Sequence, residues 1–229
     1  MIAQENYTPY IAQKIRVGEE NVSFDGMASA KRYFFFKRVF DVLFSVVVIA
    51  GVLSWLSPLI ALLIRLDSKG PVFFLQKRIG KGGAVFTCYK FRTMIVNEQS
   101  DECPASVNDH RITGIGRWLR ISKLDELPQF LNVLAGSMSI VGPRPYMVAD
   151  CRRFSALVPA YSFRNLVKPG ITGLAQVKGL HGPVADAHEA GRRYHWDALY
   201  VRNISFTLDF RILRQTAFLF ITQQIPVHK

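Results

Sequence analysis

The chain has 229 residues, 49% of them hydrophobic, yet carries 29 lysines and arginines against 17 acidic residues, a formal charge of +12. That much apolar material excludes disorder over the whole length, and a soluble nucleic-acid binder of this basicity would be more polar. Basic charge joined to high hydrophobicity points instead to a surface of anionic lipids or to phosphorylated lipid substrates.

Residues 1–30 hold two basic against four acidic residues, a net of −2, which leaves +14 for the other 199. This stretch has no sustained periodicity and reads as a flexible tail. It also lacks the basic start, apolar run and cleavage site of a secretory signal.

From 42 to 64 there are 23 residues without a charge. As a straight helix they would extend ~35 Å, enough for a hydrocarbon core of ~30 Å, so length alone reads as a spanning helix. Ser57-Pro58 argues otherwise, because a proline inside a helix removes a hydrogen bond and bends it. The flanks argue the same way. Lys31, Arg32, Lys37 and Arg38 precede the run, and Arg65, Lys69, Lys77, Arg78 and Lys81 follow it. Without a charge asymmetry to orient a spanning helix, both ends are expected on one face. The expected element is a re-entrant helix over 31–66, bent at Ser57-Pro58, with the Ser54 and Ser57 hydroxyls near the freed carbonyls.

Residues 72–79 and 84–91, rich in Val, Phe, Thr and Tyr, predict a β-hairpin turned by Gly80-Lys81-Gly82-Gly83. A phosphate loop is the other reading of those glycines, but the GxxxxGK[ST] pattern is absent. A polar loop over 97–109 follows, then helices over 117–122 and 125–134. A short apolar run at 139–141 is stopped by Gly142-Pro143-Arg144-Pro145. Further helices are expected at 148–158 and 185–203, with a strand at 174–177. The segment 208–222 mixes phenylalanines with Arg211 and Arg214; it reads either as a core helix or as an interfacial one. Three cysteines, Cys88, Cys103 and Cys151, without a CxxC pair, provide neither a disulfide framework nor a zinc site and favour a reducing, cytoplasmic setting. The fold class is α/β in the α+β sense, helix-rich: a tail (1–30), the membrane helix (31–66) and one soluble domain (67–229).

The chemistry concentrates between 117 and 144. Asp125-Glu126 precedes Leu127-Pro128, so a helix starts nearby, and Ser122 or Asp125 can be read simply as its N-cap. The charge around the pair favours more. Arg117, Arg120 and Lys123 come before it, Arg144 follows in a rigid turn, and the hairpin adds Lys77, Arg78, Lys81, Lys90 and Arg92 with no acidic residue from 77 to 92. A carboxylate ionised among cations can hold a divalent metal or attack phosphorus, and arginines can grip the oxygens of a diphosphate. His188 and His195, seven apart on a polar helix, read as solvated. His110, His181 and His228 stand alone.

Four motifs in order, Lys90-Phe-Arg-Thr-Met94, Arg120-Ile-Ser-Lys-Leu-Asp-Glu-Leu-Pro-Gln129, Ser139-Ile-Val-Gly-Pro-Arg-Pro145 and Lys168-Pro-Gly-Ile-Thr-Gly-Leu-Ala-Gln176, resemble the bacterial sugar transferases, the monotopic phosphoglycosyl transferases. The resemblance covers about 35–225, and the chain is similar to the compact members that start exopolysaccharide repeat units. It implies transfer of a sugar-1-phosphate from a UDP-sugar to polyprenyl (undecaprenyl) phosphate at the cytoplasmic face of the bacterial inner membrane, with membrane lipids around the helix and no nucleic acid. It further implies that Asp125 is the nucleophile and contacts Mg²⁺, that Glu126 is its partner in metal binding or proton handling, and that Lys90, Arg92, Arg120 and Arg144 bind the phosphates. Ser57-Pro58 matches the helix-breaking pair; glucose and galactose are the implied sugars. The rival reading is a non-catalytic membrane scaffold that uses its basic face to bind anionic lipid or an assembly partner.

Overall fold

The computed structural model describes residues 27–96, 109–180, 182, 184 and 186–222. Most of the expected tail, Cys103, the polar loop from 97 to 108, His181 and His228 lie outside the described residues.

Helix α1, Met27–Val48, runs through a π-helical turn, Ile49–Leu53, into α2, Ser54–Asp67. Residues 31–67 thus form one apolar helix long enough to cross a membrane. The backbone irregularity falls one turn upstream of Ser57-Pro58, and helical geometry continues through Pro58 itself. Proline has no N–H for the carbonyl four residues back and its ring crowds that carbonyl, so the wider turn before it takes up the misfit. Within that turn the Ser54 amide bonds Ile49 O, the Ser54 hydroxyl donates to Ala50 O (2.6 Å) and the Trp55 indole donates to Gly51 O (2.8 Å). The Ser54 hydroxyl thus bonds a carbonyl of the wider turn rather than the one four residues before Pro58, and Trp55 adds a second donor there.

Both limbs of this helix dock on the same domain. On α1, Asp41 is buried and accepts from Ser139 Oγ and Ile140 N; on α2, Ile60 and Ile64 are buried and Asp67 accepts from Ile115 N. The flanks between them are largely greasy and exposed, with Leu43, Val47, Trp55, Leu59 and Leu62 facing outward.

The hairpin forms as expected: β1, Phe73–Ile79, pairs antiparallel with β2, Val85–Phe91, placing Phe73 opposite Phe91 and Ile79 opposite Val85. Its turn needs glycine, since Gly82 and Gly83 have φ of 66° and 83°. Helix α3, Gly114–Ser122, is capped by the Thr113 hydroxyl, which accepts from Gly116 N. The helix expected at 125–134 is divided into a 3₁₀ turn, Leu124–Glu126, and α4, Gln129–Ala135. Neither Ser122 nor Asp125 caps it.

Strand β3, Ser139–Val141, pairs in parallel with β4, Gly170–Thr172. The strand expected at 174–177 is instead a helical turn, α5, Leu174–Val177, and pairing occurs four residues earlier. The reason is backbone proximity: a Cβ on Gly170 would lie 2.1 Å from Gly142 N, and one on Gly173 2.2 Å from Gly142 O. Glycine contact, not apolar side chains, selects the paired segment. Helices α6 (Val148–Leu157), α7 (Ala187–Arg202) and α8 (Phe206–Ile221) complete the domain, near their expected bounds. The main core gathers Ile60, Ile64, Phe91, Leu119, Val133 and Ile212. Helix α8 packs on the core as one of its readings expects, burying Asp209 and Ile212, and it exposes Phe210, Phe218 and Phe220.

Candidate active site

Between α3 and α4 the chain must reverse, and Lys123 does so in the left-handed region at φ 60°. A lysine held there is mildly strained, a feature that concentrates at functional sites. The reversal delivers Asp125 and Glu126 in the tight 3₁₀ turn, facing the end of the hairpin on one side and the Pro143-Arg144-Pro145 turn on the other.

Glu126 is the electrostatic hub. Its Oε1 accepts from Lys90 Nζ at 2.6 Å and from Arg144 Nη2 at 2.8 Å, and Arg144 Nη1 lies 3.4 Å from Oε2. Although burial pushes its carboxyl up, the Arg144 guanidinium and the Lys90 ammonium hold it well below the usual glutamate range. Asp125 is also buried, and here burial dominates. Its carboxyl is pushed above the ordinary value, Glu126 adds to the push, and Lys90, Arg120 and Lys123 oppose it. The surrounding cations, expected to keep the pair ionised, prevail over burial at Glu126, and burial outweighs them at Asp125. Burial also draws Lys123 below the usual lysine value, followed by repulsion from Arg144.

Of the four residues predicted to bind phosphate, the structure brings Lys90, Arg120 and Arg144 to the pair. Arg120 Nε donates to Thr93 Oγ1 (2.8 Å), and its charge acts on Asp125. Arg92 is elsewhere. Its guanidinium donates to the carbonyls of Ser68 (2.8 Å) and Lys69, just past the end of α2. Carbonyls left unpaired at a helix C-terminus are natural partners for a cation.

A second set of residues holds the backbone of the arginine turn, and sequence reading gave no sign of it. Arg164 Nη2 donates to Arg144 O, while its Nε bonds Asp197 Oδ2 at 2.8 Å. The Arg164 guanidinium lies 4.8 Å over the Tyr146 ring and 5.4 Å from that of Tyr161. Arg78 Nη1 donates to Pro145 O, and Ile79 N to Tyr146 O. Asn132 of α4 reaches β2, where its side chain accepts from Tyr89 N (2.9 Å) and donates to Thr87 O (2.7 Å). In the sequence Arg78 stands only as one of the hairpin's cations, and Thr93 only as part of the Lys90–Met94 motif.

No cluster of three or more His, Cys, Asp or Glu side chains able to hold a metal occurs among the described residues. A Mg²⁺ ion does not require one, because it binds through one or two carboxylates plus substrate phosphates and water. Asp125 fits that role. Both oxygens of Glu126 are already engaged by Lys90 and Arg144, so Glu126 fits it less well.

A family model described as Bacterial sugar transferase matches residues 32–223. The chain is 42% identical over 184 residues to a UDP-glucose:undecaprenyl-phosphate glucose-1-phosphate transferase of Klebsiella pneumoniae, covering 80% of this chain and 39% of the relative. It is 44% identical over 188 residues to a UDP-N-acetylgalactosamine-undecaprenyl-phosphate N-acetylgalactosaminephosphotransferase of Aeromonas hydrophila, covering 80% and 43%. The chain thus spans about two fifths of the length of these two relatives. It is also 45% identical over 186 residues to the exopolysaccharide production protein PSS of Rhizobium leguminosarum bv. phaseoli, covering 77% of this chain and 90% of that one.

Proposed function

Because the chain belongs to the bacterial sugar transferase family, we propose that it transfers a hexose-1-phosphate from a UDP-sugar to polyprenyl (undecaprenyl) phosphate and releases UMP. The observation that carries this reading is the split pair. Glu126 neutralises Lys90 and Arg144 and holds them in place, while Asp125 beside it forms no such ion pair among the described residues and is the carboxylate left to react.

In the first half-reaction an Asp125 oxygen attacks the β-phosphorus, which bears the sugar. The bond from that phosphorus to the bridging oxygen breaks, and UMP leaves with the bonding electrons. Lys90, Arg120 and Arg144 stabilise the charge spreading over the phosphate oxygens. In the second, an oxygen of polyprenyl phosphate attacks the same phosphorus and the Asp125 carboxylate departs, giving a polyprenyl-diphosphate sugar. Dividing the displacement lets a water-soluble and a lipid substrate use one site in turn. Mg²⁺, held by Asp125 and the substrate phosphates, would neutralise diphosphate charge.

The helix over 31–67 is read as re-entrant at the cytoplasmic face of the inner membrane. Its buried positions run from Ser45 through Leu53 to Ile60. The longest stretch between them is the seven residues 46–52, ~10 Å of helix against a core of ~30 Å. Short helices beside the site support the same placement: Trp118 and Ile121 of α3 and Leu131 and Leu134 of α4 are exposed, bringing the carboxylate pair to lipid level. Glucose and galactose are the first donors to try.

The test is UMP release from UDP-hexoses in the presence of polyprenyl phosphate and Mg²⁺, with mass spectrometry for a phosphosugar on Asp125. Release without an adduct would mean direct transfer in a ternary complex. No release from any donor would leave the scaffold reading.

A further inference from the structure

The membrane helix and the active-site pair close a single ring of contacts. Arg38 donates to Val133 O (2.6 Å) and Leu134 O (2.8 Å), gripping the last turn of α4. At the other end of that segment, three residues before α4 begins at Gln129, the turn Leu124–Glu126 carries Asp125 and Glu126. One helical turn beyond Arg38, the buried Asp41 Oδ1 accepts from Ser139 Oγ (3.1 Å) and Ile140 N (3.0 Å), gripping the start of β3. Four residues past Ile140 that strand delivers Arg144, and Arg144 meets Glu126.

The two arms of this ring are short, seven residues of helix and three of strand, and elements of that size take their placement from packing. On β3 the Ser139 amide bonds Pro169 O, toward β4, whereas the Ile140 amide points the other way, where no strand stands among the described residues. The Asp41 carboxylate takes that strand's place. A buried N–H deprived of its partner must find another, which requires the strand to move.

We propose that Asp41, with Arg38, is a positioning residue that sets the separation between the carboxylate pair and Arg144, so that the membrane helix forms one side of the active site's frame. The proposal rests on the transferase reading and adds a residue to it that touches neither substrate nor reacting atoms.

The experiment compares Asp41→Ala and Asp41→Asn in the full chain in lipid nanodiscs. Asparagine keeps an oxygen where Oδ1 stands and is expected to retain turnover. Alanine is expected to lower kcat about a hundredfold, the scale of a misplaced reacting group, with KM for the UDP-sugar unchanged. Hydrogen exchange of peptides covering 124–146 is expected to rise in Asp41→Ala and not in Asp41→Asn. If Asp41→Ala does not fold, Ser139→Ala, which removes one of the two donors, is expected to give a smaller fall of the same kind. Full kcat in Asp41→Ala, or a loss that Asp41→Asn fails to rescue, would overturn the proposal. A wild type that releases no UMP from any UDP-hexose would sink the transferase reading, while hydrogen exchange would still decide whether Asp41 holds the ring.

Discussion

Asp125 and Glu126 are consecutive in the chain, and their environments drive their carboxyl groups in opposite directions, Asp125 upward by burial and Glu126 downward by its two cations. Isosteric neutralisation separates the roles. Asp125→Asn removes a charge that burial disfavours, so stability is expected to hold or rise while UMP release and adduct formation are lost. Glu126→Gln leaves Lys90 and Arg144 without their carboxylate and is expected to cost about 3 kcal/mol, the scale of a broken buried pair. Thermal unfolding of the two variants in detergent checks the contrast, and equal loss in both would refute it.

The raised Asp125 carboxyl also has a kinetic signature. An attacking carboxylate must be deprotonated, so the first half-reaction is expected to fall as pH drops through a value above the ordinary aspartate pKa of 3.8. Single-turnover UMP release without polyprenyl phosphate isolates this step. An acid limb below that value would contradict the assignment.

Behind Arg144, the Arg164–Asp197 pair is almost wholly enclosed, with side-chain exposures of 2% and 3%. Asp197→Asn leaves a buried guanidinium without its counter-charge, and a loss of about 3–5 kcal/mol is expected. Replacing both residues together with apolar ones of similar size should recover much of that stability but not activity, since the Arg144 carbonyl would have lost its donor. Chemical denaturation beside UMP release reads both effects.

Burial pushes the Cys151 thiol up to about 12 and raises that of Cys88 as well. Because the folded state favours the protonated thiol, the stability Cys151 contributes is complete below the ordinary value of 9.0 and is lost as pH climbs from there toward 12. At pH 8.5 iodoacetamide should therefore leave both residues unmodified in the folded protein and label them fully in guanidinium. Mass spectrometry that finds either one labelled rapidly in the native state would count against this.

Two glycine substitutions should move stability in opposite senses. Gly170→Ala sets a Cβ 2.1 Å from Gly142 N, so β3 and β4 must separate, and a loss of more than ~2 kcal/mol is expected. Gly191, inside α7, has nothing within 4 Å of its added Cβ, and Gly191→Ala should gain about 0.5–1 kcal/mol. Paired melting curves decide it.

The hairpin and most helices were legible because their periodicities are local, and Lys90, Arg120 and Arg144 because they stand in recognisable motifs around the carboxylates. Arg92 stands apart from the others. It lies two residues from Lys90, but the carbonyls of Ser68 and Lys69, just past the end of α2, engage its guanidinium, and nothing near it in sequence announces them. A short apolar run at 174–177 fits strand and helix alike, and the choice fell to glycines that let two backbones touch. Arg164, Asp197 and Asn132 were invisible for a related reason: each acts on partners tens of residues away in the chain.

Asn132 carries a consequence of its own. A lone two-stranded ribbon is marginally stable, and its free edge invites pairing with another chain. By offering one carbonyl and one amide to Tyr89 and Thr87, this single side chain occupies the stretch of edge nearest Lys90. The fold is thereby spared a third strand on that side of the hairpin, which guards against aggregation without walling off Asp125 and Glu126.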